Sequence, residues 1–281
     1  MSTLSPQAEA PAPLTSHSDE PVITFTDVKI AFDNPVLEGI SFQLPRGETK
    51  FLLGAAGTGK TLILKLVLGL IKPDAGRITA LGEEVTQMRE EDLFGLRRKI
   101  GMVFQESALF DSLTVEENVA YRLLEETGQI TEEIHARVLE ALRFVELEHT
   151  VSLFPSELSG GMRRRVAIAR AIITQPEILL YDSPTGGLDP VTSNTIIELV
   201  VKQRDVYQTS SLLVSHRLQD AFTMASHYFD RQQNKMVPVG DGAMRDLHTK
   251  FLILRDGKII FEGTAPELLR CTDPYIREYL S

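Results

Sequence analysis

The stretch Gly54-Ala55-Ala56-Gly57-Thr58-Gly59-Lys60-Thr61 constrains this chain more than any other. It fits the pattern G-x-x-x-x-G-K-[ST]. A short strand, Thr49 to Leu53, precedes it, and a helical pattern follows at 60–71, stopping before Pro73. This strand–loop–helix context favours phosphate binding over a merely flexible glycine turn. Glycines let the backbone wrap a phosphate chain, and the amides at a helix N-terminus favour its negative charge. Lys60 is placed to reach β- and γ-phosphates, and Thr61 to ligate Mg²⁺.

The rest of the chain alternates strand and helix. Strands are expected at 22–30, 36–44, 49–53, 100–104, 178–181 and 211–214, and a hairpin at 251–261 around Asp256-Gly257. Helices are expected at 60–71, 90–100, 161–173, 190–204 and 217–226, with a last one running to Ser281. Ile178-Leu179-Leu180-Tyr181 is continuously apolar, as a strand buried on both faces of a parallel sheet is. Between 112 and 154 strand signals vanish, and 115–126 and 131–145 carry apolar residues at helical spacing. Together these imply an α/β fold covering 21–281: a mainly parallel sheet with antiparallel N-terminal strands and an inserted helical subdomain at about 106–160. Residues 1–20, rich in Pro, Ala, Ser and Glu, are expected to be a disordered tail. The polar stretch 229–249 is expected to be a long surface loop, either a disordered insert or a contact for an accessory subunit.

Charge narrows the partners. Lys plus Arg number 29 and Asp plus Glu 39, for a net charge of −10. That argues against non-specific nucleic-acid binding and against a polybasic lipid anchor. The single cysteine, Cys271, allows no intrachain disulfide and suits a reducing, cytoplasmic compartment. The most apolar window, 62–71, carries Lys65 and falls well short of the ~20 residues a membrane span needs. The N-terminus has neither the basic nor the apolar region of a signal peptide. A role at a membrane would therefore need another subunit to bring the chain there.

Two further motifs specify the chemistry. Leu158-Ser159-Gly160-Gly161-Met162 opens a helix; Ser159 is read either as a plain N-cap or as part of a second anion site. Asp182 ends the apolar strand 178–181, where phosphate-loop enzymes keep a Mg²⁺ ligand. With these motifs in this order, the chain resembles the nucleotide-binding subunit of ABC transporters over about 22–281. The resemblance implies a phosphate-loop NTPase with a RecA-like core, taking ATP and Mg²⁺. It makes Gly54 to Thr61 the Walker A loop, Asp182 the Walker B aspartate, and Gln105 the glutamine that senses Mg²⁺ and faces the membrane subunit. Ser159, Gly160 and Gly161 become the signature that completes the ATP site of a second copy. Asp189 falls in the D-loop, and His216 is the switch histidine. Phe32 sits where the family often stacks an aromatic on adenine; a strand-end core Phe is the alternative. The partners implied are a permease in the membrane, a second copy of the chain and accessory subunits, with the chain on the inner face of the cell membrane.

The sequence Gly161-Met162-Arg163-Arg164-Arg165, the stretch 103–119 and the ending 273–280 resemble the Mla/Mce-associated ATPases, which energise lipid transport across bacterial envelopes. One position departs from the family. After Asp182 the family has a glutamate that orients the attacking water, and this chain has Ser183. Tolerated drift, with His216 still supporting hydrolysis, is one reading. A subunit that binds ATP and dimerises but turns over slowly is another, and an engineered change is a third. Two functions follow: an ATPase driving a lipid transporter, or an ATP-gated regulatory module. The scattered His135, His149, His227 and His248 show no metal-ligand spacing.

Overall fold

The computed structural model describes residues 20–239 and 248–280. Apart from Glu20, the tail expected at 1–20 lies outside them. The central sheet has six strands in the order β12-β11-β3-β8-β7-β6. These are β3 (Thr49–Leu53), β6 (Ile100–Val103), β7 (Ile178–Asp182), β8 (Ser210–Val214), β11 (Thr249–Arg255) and β12 (Lys258–Gly263). All neighbours pair in parallel except β12, which returns antiparallel from β11. Every residue of β3, β7 and β8 is buried, because both faces of the sheet are covered. Alternation along each strand assigns the faces. Phe51, Leu53, Leu179, Tyr181 and Leu213 join one core; Leu52, Ile178, Leu180, Leu212 and Val214 join the other. At ~1.5–3 kcal/mol per buried large apolar side chain, these two layers drive the fold.

The second core is capped by an antiparallel sheet, β2-β1-β4-β5, formed by β1 (Ile23–Ala31), β2 (Pro35–Leu44), β4 (Ala75–Ala80) and β5 (Glu83–Glu84). Phe25 and Phe42 stack across it with ring centroids 4.7 Å apart. The first core is covered by helices α3 (Val115–Thr127), α4 (Glu132–Phe144) and α5 (Gly160–Ile172). Local chemistry sets where they start. The Thr114 hydroxyl accepts from the Glu117 N–H at 3.2 Å, and the Glu117 carboxylate accepts from the Thr114 N–H at 2.7 Å. At α4 the Thr131 hydroxyl accepts from the Ile134 N–H at 3.2 Å, with no side chain at Ile134 able to return the bond.

Four expectations are corrected. Helix α1 (Lys60–Val67) ends before 71, because Gly69 takes φ +63 and turns the chain. β4 and β5 were not foreseen. The expected loop 229–249 holds a hairpin, β9 (His227–Asp230) with β10 (Lys235–Pro238), while 240–247 lies outside the described residues. The last helix is two, α8 (Ala265–Arg270) and α9 (Pro274–Leu280). Cys271 is extended between them, and Pro274 can start a helix but not continue one. The remaining helices are α2 (Glu90–Arg98), α6 (Pro190–Tyr207) and α7 (Leu218–Ser226).

Tyr181 lies fully buried on β7, and its hydroxyl has no hydrogen-bond partner among the described residues. Burial alone raises its pKa, so the phenol stays neutral and unsatisfied. Tyr181→Phe removes that penalty, and the melting temperature is expected to hold or to rise by a few degrees, about 1 kcal/mol. A clear fall in a thermal scan would show that the hydroxyl has a partner after all.

Candidate functional site

The sequence motifs converge at the carboxyl ends of β3, β7 and β8, where open α/β sheets present ligand sites. The loop after β3 enters α1 through Gly59 at φ +94, and no side chain caps the helix. Its first amides are thus left for an anion. Gly59 is also packed tightly. A Cβ there would meet Val36 Cγ1 at 2.9 Å, which sets β2 against the loop. Lys60 curls back over the loop, its Nζ donating to the carbonyls of Gly54 at 2.8 Å and Ala55 at 2.6 Å. Burial lowers its pKa and the Asp182 charge opposes that shift.

The Thr61 hydroxyl donates to Asp182 Oδ1 at 3.1 Å, joining α1 to the end of β7. Burial raises the Asp182 pKa; the Thr61 bond, Lys65, Lys60 and Arg164 act against it. A hydroxyl beside a carboxylate is a hard-oxygen donor pair of the kind Mg²⁺ takes. Ser183 follows, buried and at φ +46. Its N–H donates to Val214 O at 2.8 Å, tying the end of β7 to the end of β8, and His216 is exposed two residues beyond Val214.

Gln105 is exposed beyond β6. A Cβ on Gly186 would lie 3.7 Å from its Cγ, so the glutamine borders the turn after Ser183. Arg164 ties the same segments together. Its buried guanidinium donates to the carbonyls of Phe104 at 3.3 Å, Ser183 at 3.2 Å and Gly186 at 3.4 Å. Sequence reasoning passed over this residue, because the basic run 163–165 was used only as a subfamily mark.

Ser159 and Gly160 are exposed at the start of α5, and Ser159 Oγ accepts from the Met162 N–H at 3.2 Å. The plain N-cap geometry is therefore present. Gly161 is packed: a Cβ would meet Thr192 Cγ2 at 2.4 Å. Thr192 in turn donates to Asp189 Oδ2 at 2.5 Å, and Asp189 caps α6. That bond leads the causes that hold the Asp189 carboxylate below its ordinary pKa. Through Gly161 and Thr192 the start of α5 packs against the start of α6, leaving Ser159 and Asp189 exposed. No hydrogen bond among the described residues joins them to the phosphate loop. Phe32 is 64% exposed, which removes the core alternative for it.

Residues 37–186 match the family described as ABC transporter. The chain belongs to the ABC transporter family. It is 34% identical to the intermembrane phospholipid transport system ATP-binding protein MlaF of Escherichia coli K12, over 87% of this chain and 82% of that protein. It is 35% identical to the protein TRIGALACTOSYLDIACYLGLYCEROL 3, chloroplastic, of Arabidopsis thaliana, over 92% of this chain and 73% of that one. Among solved structures, a dimeric post-hydrolysis ATP-binding cassette bound to ADP and phosphate aligns with a TM-score of 0.71 at 28% identity. That alignment covers 86% of this chain and 98% of the other. The cassette is a phosphate-loop α/β ATPase that binds ATP, and its family works as dimers with membrane components.

Proposed function

We propose that this cassette hydrolyses ATP to drive phospholipid or other lipid transport across a bacterial envelope. The observation that supports it most is the Lys60–Thr61–Asp182 constellation, in a chain 34% identical over most of its length to a phospholipid-transport ATP-binding protein. In this reading residues 21–281 are one ATPase domain, with a helical subdomain at about 106–160. Gly54 to Thr61 cradle the phosphates, and Phe32 meets the base. Thr61, Asp182 and Gln105 would hold Mg²⁺, which when bound neutralises phosphate charge. Ser159, Gly160, Gly161 and Asp189 serve the site of a second copy, which their exposed, separate position allows. Ser183 and His216 face the reacting phosphate. No helix among the described residues is long and apolar enough to cross a membrane. The chain would therefore sit on the inner face of the cell membrane through a permease partner.

Captured by a tag from its own detergent-solubilised membranes, the chain is expected to bring an integral-membrane protein, two cassettes per complex. Phosphate release by that complex should rise when phospholipid is supplied. Recovery of the chain alone, with envelope proteins intact, would overturn the reading.

A further inference from the structure

The phosphate loop is gripped at its first residue by a segment outside all the motifs. The Tyr279 hydroxyl, on α9, accepts a hydrogen bond from the Gly54 N–H at 3.2 Å. The Gly54 carbonyl accepts from Lys60 Nζ at 2.8 Å. Gly54 is therefore held on one side by the C-terminal helix and on the other by the ammonium that meets phosphate. It has no room to shift toward the sheet, since a Cβ there would meet Leu254 O at 2.4 Å.

Tyr279 is itself well placed. Ile276, one turn before it, is buried in the core. Its ring stacks on Tyr275, centroids 6.2 Å apart, and the Arg255 guanidinium sits 4.2 Å from the Tyr275 centroid. Arg255 follows Leu254 on β11, the strand packed against Gly54. The C-terminal turn is tied down by Ile276 N–H to Asp273 Oδ1 at 3.1 Å and Arg277 Nε to Cys271 O at 3.2 Å. Burial raises the Tyr279 pKa, so the phenol is neutral.

We propose that Tyr279 is a positioning residue for nucleotide binding: its hydroxyl fixes the Gly54 peptide and, through the Gly54 carbonyl, the Lys60 ammonium. This rests on the reading of 54–61 as the ATP phosphate loop. Glycine has the softest backbone torsions of any residue, so a peptide at glycine gains most from an external hydrogen bond. Freed of it, Lys60 would have to be ordered at the moment of binding, which lowers affinity.

The test uses the full chain with Mg²⁺ and a fluorescent ATP analogue. Tyr279→Phe removes one oxygen and keeps the ring. Its Kd and KM should rise about 2- to 10-fold, the range of one neutral hydrogen bond. The kcat and the melting temperature without nucleotide should hold. Tyr275→Phe, whose hydroxyl bonds nothing among the described residues, should keep the wild-type Kd. Equal Kd for wild type and Tyr279→Phe would overturn the proposal alone. So would an equal rise in Tyr275→Phe, which would assign the effect to the stack, or a matching loss of thermal stability, which would make the role structural. Failure of the wild type to bind the analogue would instead overturn the phosphate-loop reading, and this proposal with it.

Discussion

Lys60→Ala is expected to abolish the rise in melting temperature that MgATP gives the wild type. Ligand binding at a hundred times Kd stabilises a folded protein by about 2.7 kcal/mol, which for a chain of this size is roughly 5–10 °C. The variant should show none of it. The reason lies in what Lys60 touches. Its ammonium is the cation of the loop, anchored by the Gly54 and Ala55 carbonyls and drawn by Asp182. Burial works against its charge, so a phosphate chain meets an ammonium already stripped of much of its water. Alanine removes the charge and frees both carbonyls. A scan without nucleotide separates lost binding from lost folding. An undiminished MgATP shift in a folded Lys60→Ala protein would sink the phosphate-loop assignment.

What could be read from the sequence followed from how strongly each element writes its period or its chemistry. β3, β7 and β8 are buried on both faces, and the unbroken apolar run 178–181 of β7, with the shorter runs 51–53 and 212–214, made strand and sheet type legible. The hairpin β9–β10 was not. It is held to α6 by long-range bonds that its own sequence does not show: Phe229 is buried under the Lys202 ammonium, the Phe229 N–H bonds Asp205, and the Met236 N–H bonds Glu198. Apart from Phe229, its strand residues mix polar and apolar types and none is buried, and its turn is stitched by Asp230 to Gln232 and Gln233. No period-2 pattern results, and polar composition reads as a loop. β4 was hidden for a related reason. Gly76 lies at φ +88, and a Cβ there would meet Asp27 O at 2.3 Å, so the strand is set by backbone approach. In the site, contiguous motifs were legible. Arg164 and Tyr279 were not, because each acts on backbone groups far away in sequence, and a carbonyl or an amide leaves no mark in the residue code.

Ser183→Glu is expected to speed single-turnover ATP hydrolysis in the assembled complex. Asp182 keeps its Thr61 bond in the variant, so nucleotide affinity should barely move. The backbone at 183 is fixed from three sides. Its N–H donates to Val214 O, and its carbonyl accepts from the Gly186 N–H at 2.9 Å and from Arg164 at 3.2 Å. The left-handed φ of +46 costs any residue with a Cβ similarly, so glutamate adds little strain over serine. What changes is reach and charge. The serine hydroxyl makes no hydrogen bond among the described residues, whereas a carboxylate there can accept one from the attacking water and align it with the γ-phosphate. Assistance of this kind is worth about 10²–10⁴-fold in rate, which bounds the gain. Single turnover is the right measurement, because steady-state rates can be set by product release or partner motion. An accelerated rate would place the limit of the chemical step at Ser183. An unchanged or slower rate, with ATP binding intact, would mean that water is positioned by other groups. His216, exposed two residues beyond Val214, is then the first side chain to substitute.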